Sequence, residues 1–291
     1  MTTEMILRII FACTIGAVAG VICWTVFRQL GKSKKKAVPE ESRIDILRKY
    51  SSYDRTKIKY SHSVKMVLNR PVPEVLNKYN YSAYCNKETT GKDEIVFSML
   101  DFVCDNFSHW SNAVLGNDRS LAGIIKSFEE TGTKTNCRGL SLILAELLRI
   151  NGIKARHVTC KPYEEPFQDC HVVVDCLMPS GKRIMLDPTY RLFLTDENGE
   201  YVSLPQLREG ILCGKQFHPN AAASYNGTEF NYDDYIEYMT KNVFRFNTNY
   251  KLDDTDSVLS QVELIPGGYT VSGLLSTVRY TTDPDYFWSL Y

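Results

Sequence analysis

Apolar positions recur at helical spacing in three stretches near the middle of this chain. Ile95, Val96, Met99, Leu100, Val103 and Phe107 follow the acidic pair Asp93-Glu94, which fits the start of a helix. Leu121, Ile124, Ile125 and Phe128 predict a second helix that ends near Gly132. The third is the clearest: Leu140, Ile143, Leu144, Leu147 and Leu148 fall at i, i+3, i+4, i+7 and i+8. Asn136 suits its N-cap and Asn151-Gly152 its stop. Beyond it the apolar period shortens to that of strands, over residues 155–160, 170–177 and 182–187. Pro179-Ser180-Gly181 turns the last two into a hairpin.

The flanks read differently. Residues 9–27 carry no charge, and a helix of that length reaches about 28 Å, the thickness of a bilayer's hydrocarbon layer. Trp24 stands near one end, as interfacial aromatics do. A cleaved signal peptide is the rival reading, but the preceding residues offer only Arg8 as a basic charge. The expected organisation is a tail at 1–8, a single transmembrane helix at 9–27, and a basic linker with irregular extension at 28–90. A core at 91–215 follows, then a β-rich extension at 216–291. Within 28–90, Arg70-Pro71-Val72-Pro73 favours extended backbone. The extension is rich in Tyr, Phe, Asn and Asp, with strand-like pieces near 243–246 and 258–264.

Charge sharpens the topology. Lys+Arg and Asp+Glu both total 34, so a nucleic-acid partner is not expected. Residues 28–49 nevertheless hold eight basic and three acidic side chains, and Arg28, Lys32, Lys34, Lys35 and Lys36 crowd the end of the apolar run. The positive-inside rule then places the main domain in the cytoplasm, with the N-terminal helix in the lipid bilayer. Nine cysteines without CxxC pairs imply no disulfide framework, and no cofactor or metal is expected, since His157, Cys160, Cys170 and Cys176 lack zinc-ligand spacing. Asn106-Phe107-Ser108 and Asn226-Gly227-Thr228 match glycosylation sequons.

Three polar groups sit at the edges of the predicted elements. Cys137 falls in the first turn of the strongest helix, where orphan N–H groups and the helix dipole favour a thiolate. His171 opens a strand in which His171, Val173, Asp175 and Leu177 share one face, and Cys170, Val172, Val174 and Cys176 the other. If Leu177 pairs with Gly181, position 171 lies opposite 187; if Met178 pairs with Lys182, the two are diagonal neighbours on one face. Either register lets Asp187 reach His171, and a one-residue slip forbids it. Each residue alone also has a structural reading: a buried small thiol, a strand-edge histidine, a turn aspartate before Pro188. His109 and Trp110, in Ser108-His109-Trp110-Ser111, read as packing residues before groove residues, and Tyr163-Glu164-Glu165-Pro166-Phe167 as a loop before a substrate lip.

The ordered combination resembles the transglutaminase-like superfamily: Cys137 heading an amphipathic helix that ends Leu148-Arg149-Ile150-Asn151-Gly152-Ile153-Lys154-Ala155-Arg156, a histidine strand, then Leu186-Asp187-Pro188-Thr189. The resemblance covers residues 91–195. It implies an α+β, papain-like core in which the cysteine helix packs on an antiparallel sheet bearing the histidine and aspartate. It also implies Cys137 as nucleophile, His171 as general base and acid, and Asp187 as orienting carboxylate. Val173 stands where many members have tryptophan, and 291 residues leave no room for large β-barrel modules. The implied reaction is acyl transfer from an amide of a protein or peptide substrate through a thioester, with water expected as acceptor ahead of an amine. A catalytically silent binding protein of the same fold is the alternative. The Cys137 N–H is one expected oxyanion donor, and no second one is legible.

Overall fold

The computed structural model describes residues 42–55, 65–85, 93–130, 132, 134–252, 260–270 and 278–289. The helix expected over 9–27 and the basic block before residue 42 lie outside the described residues. Among those described, no helix is long and apolar enough to cross a membrane. Residues 43–291 form one compact unit.

The helices of this unit are α1 (Arg43–Lys49), α2 (Glu94–Asn106), α3 (Leu121–Glu129), α4 (Cys137–Ile150), α5 (Leu204–Cys213), α6 (Tyr232–Asn242) and α7 (Pro284–Trp288). A six-stranded sheet carries β1 (Lys154–Lys161), β2 (His171–Leu177), β3 (Arg183–Leu186), β4 (Arg245–Asn249), β5 (Gln261–Leu264) and β6 (Arg279–Thr281), in the spatial order β6-β5-β4-β1-β2-β3. The architecture is mixed α+β. Neighbouring strands run antiparallel except β5 and β6, which are parallel at one edge, a departure from the wholly antiparallel sheet expected.

Helix α4 is the hub. Asn136 caps it, its side-chain oxygen accepting from the Gly139 N–H at 3.0 Å, and every residue from Gly139 to Ile150 is buried. A helix covered on all sides is a core helix, and each fully buried Leu or Ile adds about 1.5–3 kcal/mol. Its two buried ionic residues, Glu146 and Arg149, pair with each other, and Arg70 from the 65–85 segment also meets Glu146. That partnership makes the burial of Glu146 and Arg149 tolerable. Gly139 is required by crowding: a Cβ there would lie 2.1 Å from Thr135 Oγ1 and 2.9 Å from Leu115.

The sheet is covered on both faces. Val174, Cys176, Ile184 and Leu186 pack with Ala155 against α2, α3 and α4. Val158, Cys160, Val173 and Met185 pack against α5, α6 and Leu47 of α1. The alternation read along β2 is therefore present, but its second face is buried too.

Residues 216–291 are not a separate β module. They contribute α6, α7 and half the strands of the sheet, with β4 running beside β1 through Arg245↔Lys161, Phe246↔Cys160 and Asn247↔Thr159. The C-terminal helix is fastened by a buried ion cluster. Asp175 Oδ2 accepts from Arg156 at 3.0 Å and from Arg183 at 2.9 Å, Arg183 also donates to the Trp288 carbonyl, and the Arg156 guanidinium lies 5.0 Å from the Phe287 ring centroid.

Candidate active site

The hairpin register decides the first contact. Val174 pairs with Leu186 and Asp175 with Met185, and the Met178 N–H donates to the Lys182 carbonyl at 2.8 Å. This is the second of the two permitted registers, so His171 and Asp187 are diagonal neighbours on one face. His171 Nε2 meets Asp187 Oδ2 at 2.6 Å, and both side chains are buried.

The thiol arrives from the opposite element. Cys137 is the first residue of α4 and remains partly exposed. The His109 and His171 side chains and the Val172 main chain lie close enough to its thiol to set its ionisation. With Nε2 committed to Asp187, Nδ1 is the His171 nitrogen left for sulfur. A further bond sets the helix on the strand: Ser141, one turn along α4, donates its hydroxyl to the Val172 carbonyl at 2.8 Å. The structure thus brings Cys137, His171 and Asp187 together.

His109 is a residue that sequence reasoning weighed as packing. A two-residue parallel ladder, Ser108–His109 against Lys134–Thr135, lays His109 beside Thr135, two residues before Cys137. The turn at 224–229 then fixes it. Asn226 brackets the His109 main chain, accepting from its N–H at 2.7 Å and donating to its carbonyl at 3.0 Å, and the Tyr225 hydroxyl sits 3.0 Å from Nδ1. If that hydroxyl donates, Nε2 holds the ring proton and points a donor at sulfur. The Asn226 amide, half of a sequon, is spent on this clamp. Trp110, by contrast, is exposed, and Tyr163 stacks with Tyr50 and packs edge-on to Phe244.

Asp187 is held from three sides. Besides His171, its carboxylate accepts from the Tyr235 hydroxyl at 3.1 Å and from the Thr189 N–H at 3.0 Å. Burial first of all, and then the Asp187 charge, push the Tyr235 phenol well above its ordinary range, so it stays a neutral donor. Tyr238 of the same helix stands edge-on to His171 with centroids 5.3 Å apart and donates to the Cys170 carbonyl at 3.2 Å. The only sequence trace of these tyrosines was the aromatic richness after residue 216.

The electrostatics follow from this packing. Burial opposes ionisation of Cys137, but hydrogen bonds from His109 and His171, the His171 charge and the Val172 N–H outweigh it, bringing the thiol down to about 6. Burial likewise works against a charged His171, yet the Asp187 carboxylate and the nearby thiolate lift it to about 10. Sulfur and imidazole therefore rest as an ion pair at neutral pH. Cys160, Cys170 and Cys176 are pushed up, mainly by burial, and stay neutral thiols. Among the described residues no group of three or more His, Cys, Asp or Glu is placed to hold a metal ion.

No family model matches the sequence and no curated protein matches it. Among solved structures, the chain is similar to a protein from Cytophaga hutchinsonii named as a candidate cysteine protease, at 19% identity and a TM-score of 0.28, covering 53% of each chain. It is also similar to a candidate protease from Parabacteroides distasonis ATCC 8503, at 14% identity and a TM-score of 0.29, over 44% of this chain and 27% of that one. A third is a TGase, at 11% identity and a TM-score of 0.29, over 58% and 37%. The matched part spans about half or less of the length of each of these proteins. Likenesses of that extent carry no weight on activity, and the function of this chain rests on its own site.

Proposed function

We propose that this protein is a cysteine-nucleophile acyl-transfer enzyme acting on amide bonds of proteins or peptides, with Cys137, His171 and Asp187 as its triad. The observation that carries the reading is the coupled pair: a partly exposed thiol brought down to about 6 beside an imidazole raised to about 10. Structural cysteines gain nothing from such a partner, whereas a nucleophile needs one.

In this reading the Cys137 thiolate attacks the amide carbonyl carbon, and the carbonyl electrons move onto oxygen. The Cys137 N–H, unpaired within the helix at its first position, and the His109 Nε2–H are the two donors for that oxyanion. The intermediate collapses with cleavage of the C–N bond as the His171 Nδ1 proton passes to the leaving amine, leaving a thioester on sulfur. Water then attacks, its proton returning to His171, and release of the acid restores the ion pair. Asp187 keeps the imidazole oriented and stabilises its charged form. The apolar run at 9–27 is proposed to tether the enzyme to a bilayer; alkaline carbonate extraction of membranes tests this, and release of the full chain into the supernatant would refute it.

The function is tested by incubating the protein with glutaminyl peptides and protein substrates at pH 7, with and without a primary amine. Ammonia release or peptide cleavage is expected, together with an acyl adduct on Cys137 by mass spectrometry that Cys137→Ala lacks. A Cys137 that titrates as an ordinary thiol near about 8.5 would overturn the proposal.

A further inference from the structure

Two thiols flank the contact between α4 and β2, and the proposed reaction uses only one of them. Cys137 is the nucleophile of that reaction; Cys170, the residue before His171, has no part in it. Both are partly exposed.

The packing of helix on strand sets the two thiols level with each other. Helix and strand run in the same sense. Cys137 meets His171 at one end, and at the other Arg149 donates at 3.0 Å to the carbonyl of Ala155, the β1 partner of Cys176. Near the first end, the Ser141 hydroxyl donates to the Val172 carbonyl. Counted back from that bond, Cys137 lies four helical residues away, about 6 Å, and Cys170 two strand residues away, about 6.6 Å. The faces agree as well. Val174 and Cys176 pack on the α4 side of β2, and Val173 packs on the other. Continued back along the chain, that alternation puts Cys170 on the α4 side.

Cys137 and Cys170 therefore hold matching places at the open end of one helix–strand contact, close enough for the Cys137 charge to act on the Cys170 thiol. Cys170 also stands one residue outside the β1–β2 ladder, at the end of the 162–170 loop. It is thus free of the ladder bonds that would stop it adjusting to the Cα spacing a disulfide needs, about 4.4–6.8 Å. Cys160 is the third thiol of this region, but it is fully buried and pairs across from His171, on the face turned away from α4.

The electrostatics give the pair an order of reaction. Cys137 rests as the thiolate. Cys170 is held up as a neutral thiol, first by burial and then by the Cys137 charge, while Lys161 and Arg138 pull the other way. Oxidation of Cys137 to a neutral sulfenic acid removes the charge that opposes Cys170 and leaves the two cations in place. Cys170 then ionises more readily at the step that needs its thiolate.

We propose that Cys137 and Cys170 form a reversible oxidative modification site, in which a hydroperoxide oxidises Cys137 and Cys170 resolves the product as a disulfide that shuts the enzyme off. In the first step the Cys137 thiolate attacks a peroxide oxygen and the O–O bond breaks. The departing oxygen takes the proton of the His171 imidazolium and leaves as water or an alcohol; sulfur is oxidised by two electrons and the peroxide reduced by two. In the second step the Cys170 thiolate attacks Cys137 Sγ and the S–O bond breaks. Hydroxide leaves with the proton that Cys170 gave up, as water. The site rests on Cys137 being the lowered thiol of the proposed enzyme, and asks nothing of the amide substrate.

The experiment treats the reduced full chain with stoichiometric hydrogen peroxide at pH 7 and reads intact mass, iodoacetamide labelling and a disulfide map. Wild type is expected to become two hydrogens lighter, to lose labelling at Cys137 and to regain it with dithiothreitol, with Cys137 mapped to Cys170. Cys170→Ser should instead gain oxygen, give a dimedone adduct on Cys137 and lose most of the recovery, because thiols do not reduce the sulfinic acid that follows. Cys160→Ala should behave as wild type. Wild-type Cys137 that stops at sulfenic or sulfinic acid, a disulfide from Cys137 to Cys160, or recovery unchanged in Cys170→Ser overturns the assignment. A Cys137 titration near about 8.5 overturns the proposed enzyme and this site with it. A mapped Cys137–Cys170 disulfide in a protein that turns over no amide supports the site and overturns only the amide reading.

Discussion

Replacing His109 by phenylalanine isolates the contribution that sequence reasoning weighed as packing. The substitution keeps a flat ring in the slot between Tyr225 and Cys137 but removes the donor that faces sulfur. A hydrogen bond to a charged acceptor is worth about 1.5–3 kcal/mol, and one pKa unit corresponds to about 1.36 kcal/mol, so losing it raises the thiol by about 1–2 units. Starting from about 6, the Cys137 titration in His109→Phe should then centre between about 7 and 8. At pH 6.5 the thiolate fraction falls from about three quarters to about one tenth, because each unit of pKa is a tenfold change in the ionisation ratio. The assay is the second-order rate of iodoacetamide labelling, followed by intact mass from pH 5 to 10, with His171→Ala as comparator. Thermal unfolding of the variant separates an electronic effect from a collapsed site. A midpoint that moves by less than about 0.3 units in a folded His109→Phe protein would refute the role given to this imidazole.

Other perturbations follow from the same geometry. Turnover should rise with a midpoint near about 6, as Cys137 ionises, and fall near about 10, as His171 loses its proton, which a pH profile of kcat/KM checks. The two shifts act oppositely on stability. The lowered thiol contributes above its ordinary value of 9.0 and loses that contribution as pH falls through about 6. The raised imidazole contributes fully below 6.5 and loses it as pH rises through about 10, and chemical denaturation of wild type and Cys137→Ala across this range measures both. Tyr235→Phe deletes a buried donor to Asp187 and should lower kcat/KM about tenfold, the scale of a bond to a charged group, as the carboxylate loses the contact that fixes its orientation toward His171. Gly139→Ala forces a methyl against Thr135 and Leu115 and should destabilise the fold by about 1–3 kcal/mol, seen as a lower Tm.

What the amino-acid pattern disclosed was local, and it disclosed that well. The apolar stripe of α4, its Asn136 cap and the parity of the 171–187 hairpin are each written within about twenty residues, where periodicity and turn chemistry act directly. That range was enough to put His171 and Asp187 on one face and to leave only two registers for them. The groups supplied from far along the chain were not legible. Tyr235 reaches Asp187 across 48 residues, and Asn226 reaches His109 across 117. Nothing in the local sequence of Asn226-Gly227-Thr228 separates a main-chain clamp from a surface sequon. The Cys-rich β1–β2 region shows the same limit. Cys170 and Cys176 share a face in sequence, yet Cys176 is packed against the helices and Cys170 stays partly exposed next to His171.

The residues after 216 complete the surroundings of Cys137, His171 and Asp187. Cys137, His171 and Asp187 come from a helix and a hairpin that local forces could assemble, but an unsupported Asp187 would be a buried carboxylate with too few donors. It gains a third donor only because α6 presents Tyr235, while Tyr238 one turn later walls the imidazole. Strand β4 closes the β1 edge, so the face opposite α4 is dry where His171 and Asp187 lie. Water excluded from that face makes each remaining charge interaction stronger, which is the condition for a thiol near about 6 and an imidazole near about 10 to coexist. The C-terminal residues therefore act on the chemistry through the dielectric and the hydrogen bonds around Asp187. The lowered thiol therefore depends on Tyr235, Tyr238 and β4, all outside the 91–195 segment.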